Sequence, residues 1–169
     1  MYRGIIVALI FLLSACSTQQ YSAEDVFANQ ERAERFYQQS NYQPALTEYR
    51  KVIEALPLHI HSWLRVGNCL AQLGRYPEAV AAYERALRID PQFTSAWINL
   101  SYVQAQILTQ TVASMHEQVP KTDPQIERVQ VLVNSVLTPF GLAQQKANNS
   151  TPELPDDGAI DVMNADEPQ

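Results

Sequence analysis

The order of apolar and polar positions divides the chain into three stretches. Residues 5–13 form an unbroken apolar run behind a single cation, Arg3. A long middle region follows, in which apolar residues recur at helical spacing. From about residue 143 the apolar period disappears among Asn148, Asn149, Ser150, Thr151 and several prolines. Within the middle region, Ser22 and Asp25 have capping-box spacing, with aspartate in place of the usual glutamate, which starts a helix near Ala23. Pro44 sits where a helix start tolerates a missing N–H. Gly74 permits a left-handed cap, and Asp90-Pro91 ends another helix because the residue before proline avoids the helical region. Residues 94–117 read as one helix, with Ile98, Val103, Ile107, Met115 and Val119 as core contacts. Asp123 as N-cap and Pro124 at the first position restart the chain. Ile126, Val129, Leu132, Val133, Val136 and Leu137 then share a helical face before Pro139. The β-branched residues at 129–133 leave a strand open, but nothing nearby offers it a pairing partner.

A second period lies over the helical one. Trp63 and Trp97 are 34 residues apart, as are Pro57 and Pro91, Ala45 and Ala79, and Tyr49 and Tyr83. The copy at 60–93 carries Trp63, Gly67, Gly74, Tyr76, Ala79, Tyr83, Ala86 and Pro91. At this spacing the set resembles the tetratricopeptide-repeat (TPR) family. The copy at 26–59 keeps Ala33, Phe36, Ala45, Tyr49 and Pro57, but has Asn29 for the early tryptophan and Val52 for an alanine. A third copy opens at Thr94 with Trp97 and Leu100, then fades at Glu117 and Pro120. The resemblance implies an all-α fold: a short TPR solenoid of antiparallel helix pairs, in which Trp63, Tyr83 and Trp97 fill gaps between pairs. Two repeats are few for a stack that needs caps, so 94–141 is expected to supply a degenerate third repeat and capping helices. Residues 142–169 are expected to be an acidic disordered tail.

Charge narrows the classes of partner. The 169 residues carry a net charge of −6, hydrophobic residues make up 46% and charged residues 18%, and there are 5 glycines. An acidic chain lacks the basic face that phosphate binding needs, which excludes nucleic acid. It equally lacks a polybasic surface for gripping anionic lipid. Six acids stand in the tail, Glu153, Asp156, Asp157, Asp161, Asp166 and Glu167, against Lys146. The tail is a solvating end or, at residues 159–163, a short docking segment.

Membrane attachment is expected from the leader instead. The run at 5–13 is too short to span a bilayer, which takes about 20 apolar residues, and reads as a signal peptide covering 1–15. It ends in Leu13-Ser14-Ala15-Cys16, an aliphatic residue, two small ones and a cysteine. This resembles the lipobox of bacterial lipoproteins. The resemblance implies cleavage before Cys16, a covalent lipid on its thiol, and a tether at 16–22. Ser17 after the cysteine resembles the outer-membrane default of a Gram-negative host, facing the periplasm. The alternative is an ordinary secreted protein in which Cys16 pairs with Cys69. If Cys16 is lipidated, Cys69 has no intramolecular partner and no structural disulfide is expected.

No phosphate-cradling glycine loop, nucleophile elbow or H-E-x-x-H occurs, so neither an enzyme nor a non-covalent cofactor is expected. His59 and His61 straddle a turn without a third ligand nearby, and His116 stands alone. What remains is surface. In the TPR family the first helix of each pair lines a groove for an extended peptide or partner helix. By repeat position the groove would show Phe27, Gln30, Glu34 and Tyr37, then His61, Leu64, Arg65 and Asn68, then Asn99 and Tyr102. Some family members clamp a terminal carboxylate with lysines, an arginine and asparagines. Here Gln30 stands where the first lysine belongs, which puts such a clamp in doubt. The expected function is a lipid-anchored adaptor for a protein partner in a pilus, secretion or other envelope complex, similar to pilotins. A recruiter of a cell-wall hydrolase and a self-associating structural subunit are the other readings.

Overall fold

The computed structural model describes residues 22–120 and 122–138. Cys16, the leader, most of the tether and the acidic tail lie outside the described residues. Six helices follow one another: α1 Ala23–Gln38, α2 Tyr42–Ala55, α3 Ile60–Gln72, α4 Tyr76–Ile89, α5 Thr94–Gln118 and α6 Pro124–Leu137. Among the described residues all regular structure is helical, and 129–133 lies in α6 rather than in a strand. The fold is an all-α, TPR-like solenoid. Short loops make α1 and α2, and α3 and α4, antiparallel neighbours. α2 packs on α3 and α4 on α5, so the pairs stack. α3 also meets α5 directly, which sets first helices side by side along one face.

Local chemistry explains the boundaries. The Ser22 hydroxyl accepts from the Asp25 N–H at 3.0 Å, and the Ser22 N–H donates back to the Asp25 carboxylate at 3.2 Å. The Asp123 carboxylate accepts from the Gln125 N–H at 2.8 Å and starts α6. The turn within each pair needs a left-handed residue. Ser40 supplies it at φ 57° and Gly74 at φ 72°. The next equivalent position holds Leu108, whose side chain makes that conformation costly and continuing the helix favourable. The chain therefore does not turn. α5 runs for 25 residues, and the third unit is one long helix rather than a pair.

The main core runs from α1 to α5 and includes Ala33, Tyr49, Leu64, Cys69, Tyr83 and Val103. A Cβ at Gly67 would lie 2.3 Å from the Tyr83 ring, so the absent side chain is what lets α4 close on α3. Ala33 occupies the equivalent place in the first pair, fully buried.

Several expected core positions are open. Trp97 is 51% exposed and Trp63 only half-buried, so of the three expected gap-fillers Tyr83 alone is enclosed. Ile98 faces out, because α5 has no following pair to cover that side. A smaller core joins α5 to α6 through Ala105, Val112 and Val133. Among the described side chains of the expected α6 face Val133 is buried, whereas Leu132 is 64% exposed and Val136 is exposed beside it.

Candidate partner-binding groove

The first helices α1, α3 and α5 carry all ten groove residues expected from repeat position. On α1, Phe27 is 55% exposed, and Gln30, Glu34 and Tyr37 are half-buried. On α3, His61 is half-buried and its ring meets Phe93 edge-on at 5.3 Å. Tyr102 on α5 is half-buried, its hydroxyl accepting from the Gln106 side-chain amide at 2.7 Å. The other four lie deeper. Leu64 has no exposed surface and packs the core, which corrects the expectation that it lines the groove. Its helical position faces the stacked neighbour, and repeat numbering cannot register that cover. Asn68 and Asn99 are likewise fully enclosed, and Arg65 is 7% exposed.

The polar groups of these helices form two knots. In the first, the Glu34 carboxylate accepts from the Tyr49 hydroxyl at 2.6 Å and stands 3.4 Å from Arg65 Nε. The Arg65 guanidinium lies 4.7 Å from the centre of the Tyr37 ring, and Tyr37 meets Tyr42 edge-on at 5.6 Å. A buried arginine is tolerated when its charge is answered in this way. In the second, Asn68 Oδ1 accepts from the Tyr83 hydroxyl at 2.9 Å and from Asn99 Nδ2 at 2.8 Å. That bond ties α3 to α5 across 31 residues of sequence. Asn68 Nδ2 is buried and finds no hydrogen-bond partner among the described residues, a state that costs about 1–3 kcal/mol.

Burial, and then the bond to Glu34, push the Tyr49 phenol well above its ordinary pKa. Burial also raises the Tyr83 phenol, with Tyr37 adding to it. The Cys69 thiol is pushed up to about 12, chiefly by burial, so it stays neutral. Such a thiol is a poor nucleophile.

Sequence reasoning did not find the Glu34–Arg65 pair, and it named Tyr49 and Tyr83 only as repeat positions, not as the donors that anchor the two knots. Pairing the equivalent positions 34 and 68 with 49 and 83 was the available signal. The His59 and His61 rings stand 6.1 Å apart, and His59 Nδ1 is engaged with the Ser62 hydroxyl at 2.8 Å. Among the described residues no group of three metal-ligating side chains is assembled, and no helix is long and apolar enough to cross a membrane.

Residues 31–92 match the family described as tetratricopeptide repeat. This chain contains tetratricopeptide repeats. The match covers most of both helix pairs and stops before α5. Over 107 residues the chain is 30% identical to the peroxisomal targeting signal receptor of Kluyveromyces lactis, covering 57% of this chain and 19% of that receptor. Over 90 residues it is 31% identical to the receptor of the same description from Eremothecium gossypii, covering 48% of this chain and 16% of that protein. The chain thus spans less than a fifth of the length of these relatives. The solved complex of the TPR2B domain of yeast Sti1 with pHsp70 superposes with a TM-score of 0.49 at 17% identity, over 73% of this chain and 88% of that one.

Proposed function

We propose that this chain is a lipid-anchored TPR adaptor whose groove on α1, α3 and α5 holds an extended segment of a protein partner. The observation that carries the reading is the row of half-open aromatic side chains, Phe27, Tyr37, His61 and Tyr102, above a buried polar floor. Aromatic groups on a preformed surface give contact area at low entropic cost. The similarity to targeting-signal receptors in the repeat region supports recognition of a peptide-like segment.

Arg65 is already answered by Glu34 and Tyr37. The groove therefore favours an uncharged, partly apolar segment over a terminal carboxylate. Binding, rather than catalysis, is the work assigned to it. Lipidation of Cys16 would place the domain on the periplasmic face of an outer membrane, and an envelope assembly or secretion complex is the setting this suits. Residues 17–21 separate the lipid from the first helix cap, at about 3.3–3.6 Å each when extended. The groove would then work close to the bilayer.

Crosslinking and pull-down from membranes tests the groove. Phe27→Ala, at a side chain 55% exposed and outside both cores, should weaken partner recovery while leaving the thermal unfolding midpoint nearly unchanged. Undiminished recovery would sink the groove assignment. Separately, Cys16→Ser should abolish labelling by a fatty-acid probe, and persistent labelling would remove the anchor.

The outward face of α6 favours a second reading, self-association, because Val131, Leu132 and Val136 are all exposed there. A strict monomer in size-exclusion chromatography at high concentration rules that reading out.

A further inference from the structure

The side of the solenoid away from the groove carries a pocket of its own. There α2 and α4 flank an open depression of about 540 Å³ with α3 at its base. Trp63, Val66 and Leu70 of α3 make an apolar floor. Arg50 of α2 and Arg85 and Arg88 of α4 stand around it, with Glu54 and Glu78. Glu78 is shared between Arg75 at 2.5 Å and Arg50 at 3.8 Å. Arg88 meets Glu84 only at 3.9 Å, both of them more than half exposed. The Arg85 guanidinium stands 5.8 Å from the centre of the Trp63 ring, holding a cation over the apolar floor. In a chain of net charge −6, three arginines against two glutamates leave this place with a net positive charge.

The same chain contains a segment of matching chemistry. Residues 154–163 interleave Leu154, Ile160, Val162 and Met163 with Asp156, Asp157 and Asp161. No cation stands among them to compete. Fifteen residues, 139–153, lie between Thr138 and that segment, and at roughly 3.3–3.6 Å each they reach up to about 54 Å. That is about one and a half times the length of α5, ~37 Å at 1.5 Å per residue. A tethered segment within reach is present at millimolar effective concentration, which lets a weak site fill.

We propose that residues 154–163 fold back into the pocket between α2 and α4, aliphatic side chains over Trp63 and carboxylates against Arg50, Arg85 and Arg88. The tail then covers the convex side and leaves the groove free. This inference does not depend on what the groove binds.

Trp63 reports on the pocket once Trp97→Phe makes it the sole tryptophan. Acrylamide quenching of the full chain in that background is compared with a variant carrying Asp156→Asn, Asp157→Asn and Asp161→Asn. Neutralising the tail should raise the quenching constant about twofold, and 1 M salt should do the same, since screening is then short-ranged. Arg85→Gln with Arg88→Gln uncovers Trp63 by itself, so the two sets are also combined. Adding the tail substitutions to the arginine pair should bring no further rise. An unchanged quenching constant on tail neutralisation, or additive effects of the two sets, overturns the proposal. Quenching that stays constant over a hundredfold dilution supports the intramolecular form. Protection that grows with concentration overturns it in favour of a second copy's tail.

Discussion

Where Tyr49 of the first TPR pair donates to the Glu34 carboxylate, Tyr83 of the second donates to the Asn68 amide, at equivalent places 34 residues apart. The first knot lies at the end of the stack, and the Glu34 side chain keeps 29% of its surface in contact with solvent. The second lies between two neighbours, and Asn68 has no exposed surface. Water near Glu34 lowers the cost of its charge. At Asn68 an unanswered charge would cost far more than an amide. The same fold position thus takes a charged or a neutral side chain according to its depth in the stack. The two pairs differ a second time at the helix crossing, where Ala33 in one answers to Gly67 in the other.

The crossing gives the sharpest way to test that comparison. Gly67→Ala drives a methyl group into the Tyr83 ring, and overpacking of this kind costs about 1–3 kcal/mol, partly offset by the better helix propensity of alanine. Urea unfolding should show a net loss of up to about 2 kcal/mol. The reverse change, Ala33→Gly, should lose only about 0.5–1 kcal/mol. Equal losses would mean that the two crossings are not different after all. Next come the hydroxyls. Tyr49→Phe removes a bond to a carboxylate and should cost about 1.5 kcal/mol, against about 1 kcal/mol for Tyr83→Phe. A larger loss at Tyr83 would reverse the reading of depth.

The turns give a smaller contrast. Gly74→Ala should lose about 1 kcal/mol, because the left-handed backbone strains a Cβ. Ser40→Gly should be neutral or gain up to about 1 kcal/mol on the same grounds, read from the urea midpoint. The smallest effect concerns pH. Burial, and then the like charge of His61, hold the His59 pKa below its ordinary 6.5. The unfolded chain therefore binds the proton more readily. The stability linked to His59 is complete above pH 6.5, and it is lost as pH falls from there through the folded pKa. His59→Asn keeps a cap acceptor for Ser62 but should flatten the change in unfolding midpoint between pH 7.5 and 5.5. An equal pH response in that variant would assign it to another group.

The fold was largely legible because a 34-residue period and a few caps each have one physical solution. Trp63 and Trp97 at that spacing, Gly74 and Asp90-Pro91 were enough to place α3, α4 and the start of α5. The groove was legible only as a set of helix positions. Repeat numbering says which helix a side chain belongs to, not what the next pair places over it, so Leu64, Asn68 and Asn99 turned out to be enclosed. The Glu34–Arg65 pair was hidden because its partners sit 31 residues apart, beyond any within-helix spacing rule. The outward faces of Ile98 and Leu132 escaped for the opposite reason: an apolar helical stripe promises a cover, and the stack ends before supplying one.

α5 belongs to two cores at once. Its first half carries Asn99, bonded to α3, and its second half carries Val112, packed toward α6, with Tyr102 touching both clusters. A turn at position 108 would have worked as a universal joint. The unbroken helix works as an axle instead. Val112 and Asn99 lie in one unbroken helix, so no loop stands between the α6 contact and the groove floor.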